Sequence, residues 1–185
     1  MNSGKIIEQK EVDGHRVIVR YIEATDVVQL RDYINQLSRE KTFITLQGEQ
    51  ISLEEEKKYI EDSLKKISNK SVVKLVLEVD GKIVGTADVT LGQRTHTHVG
   101  YMGLSIDVSV RGKKLGRLLF ESLMTEAKKQ LPGLRVFQLS VFENNIPARK
   151  LYESCGFTVA GTLPNTINHM GGYVHELLMV KQLVG

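Results

Sequence analysis

Tryptophan is missing from this 185-residue chain, proline occurs three times and cysteine once. The lone cysteine, Cys155, has no internal partner, which excludes the small disulfide-stapled secreted scaffolds and suits a reducing compartment. No apolar run approaches the roughly 20 residues of a membrane span, and the polar N-terminus lacks the apolar core of a secretory signal. These absences predict a cytoplasmic protein with no membrane partner. An excess of charge of either sign is lacking too. The 25 Lys and Arg against 22 Asp and Glu leave a net +3, too small and too dispersed for a nucleic-acid partner. Lys57-Lys58, Lys65-Lys66 and Lys128-Lys129 read as solvated helix faces. Such a weak basic field still suits a small polyanionic ligand. There are no repeats, low-complexity tracts or linkers, and 41% hydrophobic content can bury one sizeable core. A single domain is expected over residues 1–185, with its core at about 17–183 and residues 1–14 as an extension forming an extra strand.

Local patterns divide the chain further. Val12-Asp13-Gly14-His15 between apolar stretches predicts a hairpin turn. The following strand, Val17 to Ile22, leads to Thr25, a suitable N-cap for a helix carrying Val28, Leu30, Ile34 and Leu37. Phe43 to Gln50 reads as a loop or broken helix. Ser52-Leu-Glu-Glu55 is a capping box that opens a second helix, with Tyr59, Ile60, Leu64 and Ile67 on its apolar side. Val72 to Val79 and Lys82 to Leu91, joined by Asp80-Gly81, predict a second hairpin. Gly92 to His98 is a polar loop. Towards the C-terminus, Val136 to Phe142 reads as a strand. Phe157 to Leu163 and Tyr173 to Leu183 are two more strands, separated by a turn-rich Pro164 to Gly172. Strands and helices interleave, so the class is α/β.

The most informative stretch runs from Gly103 to Arg117. Leu104, Ile106, Val108 and Val110 alternate with polar residues, the period of a half-buried strand. Leu115, Leu118, Leu119, Leu123, Met124 and Ala127 then fall at helical spacing, and Pro132-Gly133 ends that helix. A helix start offers unpaired backbone N–H groups and partial positive charge, so it attracts phosphate. Gly112 and Gly116 let a ligand approach the backbone, while Arg111, Lys113, Lys114 and Arg117 add charge. The pattern fits a pyrophosphate cradle, and also a solubilising surface turn.

A second block follows the next strand: Asn145-Ile-Pro-Ala148-Arg-Lys-Leu151-Tyr152-Glu-Ser-Cys-Gly156-Phe157. Together the two blocks resemble the GCN5-related N-acetyltransferase (GNAT) superfamily, whose members carry Arg/Gln-x-x-Gly-x-Gly/Ala after a strand and then Asn-x-x-Ala-x-x-x-Tyr-x-x-x-Gly-Phe. The resemblance implies a mixed, mostly antiparallel sheet of about seven strands flanked by about four helices, with central strands splayed for the cofactor. It implies acetyl-coenzyme A as cosubstrate and transfer to a primary amine in a ternary complex. The pantetheine arm would lie along the backbone of Leu104, Ser105 and Ile106, with Gly100 and Gly103 allowing a bulge. The pyrophosphate would lie on the amides of Arg111, Gly112, Lys113, Lys114, Leu115, Gly116 and Arg117. Asn145, equally suited as a helix N-cap, would fix the cofactor, and Tyr152 would protonate the leaving thiolate. The first two helices and their connection would wall the acceptor pocket.

Two positions depart from the family pattern. Lys114 replaces the first motif glycine; inside a helical first turn no positive φ is needed, so its amide is expected to keep facing phosphate. Where relatives carry a strand glutamate as general base, this chain has Tyr101 and Ser140, which leaves Asp88, His98, Asp107 and Glu143 as substitutes. His96 and His98 would share a face of a strand, but no third ligand accompanies them, so no metal is expected. Cys155 reads as a small buried hydrophobe. Within the superfamily the chain is similar to small bacterial or archaeal members. Its ending, Gly171-Gly172-Tyr173-Val-His175-Glu-Leu-Leu-Met179, resembles polyamine and ribosomal-protein N-terminal acetyltransferases, which often carry aspartate where His175 stands. A small-molecule amine or a protein N-terminus remains open as acceptor, and so does a homodimer. The competing reading is a non-catalytic acyl-coenzyme A sensor or partner-binding module.

Overall fold

The computed structural model describes residues 2–183. In chain order they form β1 (Ile6–Val12), β2 (His15–Tyr21), α1 (Val27–Glu40), α2 (Leu53–Ser68), β3 (Val72–Val79), β4 (Lys82–Leu91), β5 (Val99–Ile106), α3 (Leu115–Gln130), β6 (Val136–Phe142), α4 (Ile146–Ser154), β7 (Thr158–His169) and β8 (Gly172–Gln182). The strands make one sheet in the order β1-β2-β3-β4-β5-β6-β8-β7. The count reaches eight because the N-terminal extension pairs along β2.

Both hairpins form where the turn chemistry places them. Asp13 and Gly14 have φ of 52° and 78°, and Asp80 and Gly81 have 48° and 83°. Two successive left-handed residues match the twist of the flanking strands. The capping box also closes as read: Ser52 Oγ accepts from the Glu55 amide at 3.2 Å, and Glu55 Oε2 accepts from the Ser52 amide at 2.8 Å. The α1 start differs. A 3-10 turn over Ala24–Asp26 precedes the helix, and Glu23, not Thr25, caps that turn. Arg20 decides this, because it draws both Asp26 oxygens into 2.8 Å hydrogen bonds. The same carboxylate accepts from the Glu23 amide at 2.9 Å, and Thr25 donates its hydroxyl to Glu23. The buried stripe of α1 is Leu30, Tyr33 and Leu37, while Val28 is exposed, as is Tyr59 on α2.

Helices cover both faces of the sheet. Lys74 of β3 reaches Tyr59 of α2 at 2.7 Å. Its neighbour Leu75 points to the opposite face, where Tyr21, paired with Leu75 across the strands, meets Glu126 of α3 at 3.2 Å. With both sides covered, β3 is apolar nearly throughout. Leu119, Phe120, Leu123 and Ala127 of α3 are completely buried, and each large side chain among them contributes on the order of 1.5–3 kcal/mol.

One neighbouring pair of strands is parallel, β5 with β6, and it is short: Val99↔Val136, Gly100↔Phe137 and Tyr101↔Gln138. Beyond Tyr101 the two strands part, while β5 keeps β4 as its outer partner as far as Ile106 and β6 keeps β8 as far as Phe142. The bulge expected at Gly100 and Gly103 is absent, since the β4–β5 ladder runs without a register shift. Gly100 is needed for packing instead: a Cβ there would lie 2.6 Å from Val89 Cγ1 and 2.8 Å from Leu134 Cδ1.

Two further expectations are corrected. The alternation through Val108 and Val110 does not continue β5; Asp107 ends the strand and caps a 3-10 turn over Val108–Val110. The segment Pro164 to Gly172 is not a long loop, because β7 continues to His169 and only Met170-Gly171 turns. One register shift, between Leu163 and Ile167, takes up the irregular residues, and Pro164, which cannot donate, is tolerated because β7 is an edge strand.

Replacing Gly100 with Ala is expected to destabilise the protein by about 1–3 kcal/mol through overpacking at the foot of the parted strands. Urea denaturation checks this, and an unchanged midpoint contradicts it.

Candidate active site

The turn between β5 and α3 is built by a short sequence of backbone decisions. The Asp107 amide donates to the Val84 carbonyl at 2.8 Å, and its carboxylate accepts from the Ser109 amide and hydroxyl at 2.8 and 2.6 Å. Burial works to raise the Asp107 pKa, but the Ser109 hydrogen bonds outweigh it and hold the carboxyl below its ordinary range. Arg111 then spans the gap, donating to the Ile106 carbonyl at 3.0 Å and pairing with Glu40 of α1 at 2.8 Å. Gly112 is left-handed with φ of 78°. Lys114 corrects the sequence expectation. It is the N-cap of α3 at φ 62° and ψ 4°, so it occupies the left-handed conformation that a glycine takes without strain.

From this turn a cavity of about 940 Å³ extends between the parted strands. Leu104, Ser105 and Ile106 of β5 line it, as do Arg111, Gly112, Lys114, Gly116 and Arg117 of the turn and Asn145 and Tyr152 of α4. Lys113 is exposed and Leu115 is buried in the core, so neither side chain joins the lining. Thr42, Phe43, Ile44 and Thr45 of the α1–α2 loop close another wall. That loop is fixed in place: Ser38 Oγ accepts from the Gly48 amide, and Phe43 packs against Phe142 and His169 with centroids 5.9 and 5.0 Å away.

On α4, Asn145 Oδ1 accepts from the Ala148 amide at 3.3 Å, which makes it the helix N-cap. Tyr152, two turns later, is only 6% exposed and packs against Phe120 and Phe157 at 5.1 and 6.2 Å. Burial, with the neighbouring Cys155 adding to it, pushes the Tyr152 phenol up to about 12. It therefore holds its proton throughout the neutral range. Burial likewise raises the Cys155 thiol, which disfavours the thiolate a nucleophile needs.

A model of the acetyltransferase (GNAT) family matches residues 32–157. The chain belongs to this family. The L-amino acid N-acetyltransferase AaaT of Escherichia coli (strain K12) is 28% identical over 111 residues, 60% of this chain and 68% of that relative. An acetyltransferase of the GNAT family from Streptococcus pneumoniae superposes with a TM-score of 0.83 at 26% identity, over 91% of this chain and 99% of that one. Also similar is yncA from Salmonella typhimurium, solved with its cofactor acetyl-CoA, at a TM-score of 0.78 and 20% identity over 91% and 94% of the two chains. Membership makes this protein an N-acetyltransferase with acetyl-coenzyme A as cosubstrate.

The sequence candidates for a general base do not converge on the cavity. Asp88 pairs with Lys74 at 3.5 Å, Asp107 is spent on capping, and His98 and Glu143 are exposed. None of the four lines the cavity. Among the described residues one carboxylate does, and it is Glu176 of β8, directly opposite Phe142 of β6. Sequence reasoning passed over Glu176, although a charge beside Leu177, Leu178 and Met179 in a strand is a signal in itself.

Lys114→Gly is expected to relieve the left-handed strain and raise stability by about 0.5–1 kcal/mol, less than the full cost because glycine also loosens the unfolded chain. A denaturant midpoint that rises at unchanged slope is the expected reading, and a fall contradicts the strain.

Proposed function

We propose that the protein transfers the acetyl group of acetyl-coenzyme A to a primary amine by direct attack in a ternary complex. The observation that carries this reading is the parting of β5 and β6, which opens a backbone edge onto a cavity reaching from the glycine turn to a buried, protonated tyrosine. The pantetheine arm lies along Leu104, Ser105 and Ile106 as an added strand would. The pyrophosphate is received by the backbone N–H groups of Gly112, Lys113, Lys114, Leu115, Gly116 and Arg117; the Arg111 amide, expected among them, is already given to the Val108 carbonyl at 3.3 Å. Here the α3 terminus supplies unpaired donors and partial positive charge. Asn145 orients the cofactor with the amide nitrogen left over from capping.

The amine nitrogen attacks the thioester carbonyl, a C–N bond forms, and the tetrahedral intermediate collapses by breaking the C–S bond. Tyr152 gives its proton to the departing sulfur, and the surplus proton on nitrogen restores the phenol. A donor held ready at neutral pH is what burial of Tyr152 provides.

Two variants test the reading. Gly116→Glu sets a carboxylate where the pyrophosphate is received, and acetyl-coenzyme A affinity is expected to fall by about 100-fold or more, the scale of removing several charge-assisted contacts. Calorimetric affinity that does not change, in a folded variant, removes the turn from the site. Tyr152→Phe is expected to lower kcat by about 100-fold with donor affinity and Tm nearly constant. Because the phenol pKa is raised to about 12, loss of its proton reduces kcat only as pH climbs towards that value. Wild-type kcat that falls near pH 8 in step with a group absent from Tyr152→Phe contradicts the assignment.

A further inference from the structure

The cavity divides its charges by wall. Its cations, Arg111, Lys114, Arg117 and Lys150, all come from the turn into α3 and from α4. Arg117 donates to Ser154 of α4, and Lys150 lies one turn before Ser154 on the same face, so these charges share the proposed phosphate end. The opposite wall is different. There Phe43 meets Phe142 edge to face, Ser140 shares a face of β6 with Phe142, and Glu176 stands across from Phe142 on β8. Arg149 does not contribute to the lining, and its guanidinium is turned to the Glu143 carbonyl at 3.0 Å. Glu176 is half-buried, its hydrogen bond from Thr166 is long at 3.5 Å, and it has no ion pair among the described residues.

A carboxylate partly withdrawn from water beside two phenylalanines is costly unless a cation meets it. Aromatic rings add to the attraction for an organic ammonium. Among the described residues no cation is paired with Glu176, so a ligand carboxylate placed beside it is repelled. We propose that Glu176 is the specificity-determining residue for the acceptor, and that the acceptor is a primary amine with an apolar or aromatic body and no free α-carboxylate. The proposal rests on the acetyl-transfer reading of the same cavity and narrows its acceptor class. Glu176 receives the ammonium form and orients it along Phe43 and Phe142; the bound ammonium releases one proton to solvent water before its nitrogen attacks, and the free amino acid is rejected.

The test uses phenethylamine, phenylalaninamide and phenylalanine, which differ only at the α-substituent. Thiol release from acetyl-coenzyme A is measured with each, and binding of each to the coenzyme A-loaded protein is measured by calorimetry. The expected result is kcat/KM at least tenfold higher for the amine and the amide than for phenylalanine. Glu176→Gln, which keeps size and shape, is expected to raise KM for phenethylamine about tenfold with kcat and coenzyme A affinity little changed. Glu176→Lys is expected to narrow or reverse the preference against phenylalanine. Phenylalanine turned over as well as phenethylamine overturns the proposal, and so does a Glu176→Gln variant with unaltered KM. If no amine is acetylated, the transfer reading fails by itself. Calorimetry then decides the acceptor class: Glu176-dependent binding of phenethylamine supports it, and equal binding of phenylalanine overturns it.

Discussion

A sheet that comes apart in its middle is the constraint on which this molecule depends. β5 and β6 share three residue pairs and then diverge, although each continues for several residues beside its outer neighbour. Buried backbone N–H and C=O groups left without partners each cost about 1–3 kcal/mol, so the divergence persists only because the surroundings compel it. Gly100 lets Val89 and Leu134 close over the paired foot, and Asp107 pulls the chain out of the strand immediately after Ile106. What emerges is an extended edge facing a cavity, which an elongated ligand with amide groups satisfies as a strand would. A proper ladder at this place would leave no room for a cofactor.

The other parts act on what the divergence opens. At one end the chain passes through left-handed Gly112 and Lys114 into α3, whose first turn borders the cavity at Gly116 and Arg117. Lys114 shows strain accepted at the turn: the residue adds a charge to the cavity lining but holds a conformation disfavoured for any side chain with a Cβ. In the middle, packing against Phe120 and Phe157 keeps Tyr152 out of water and its proton on oxygen. At the far wall, contacts of Phe43 with Phe142 and His169 hold the α1–α2 loop against the sheet. The cavity lining thus combines cations from the α3 turn and α4, apolar side chains and Glu176 of β8.

Local chemistry determined a large part of this from the sequence alone. Asp13-Gly14 and Asp80-Gly81 settle their own hairpins because left-handed pairs dictate the turn. Ser52 and Glu55 start α2 because their two hydrogen bonds span three residues. The blocks around Gly112–Gly116 and Asn145–Tyr152 were legible for the same reason, since each works within a strand-to-helix turn or along one helix. Tertiary structure decided whatever depends on a partner distant in the chain. Arg20 moved the start of α1 by claiming Asp26. Val84 helped stop β5 where period alone carried it on through Val110. The β8 ladder drew Pro164–His169 into a strand. Glu176 became the cavity's carboxylate only when β8 was laid beside β6, 34 residues earlier at Phe142. A side chain's neighbours along the chain set its backbone; which surface it faces is settled by strand order, and no local pattern encodes that.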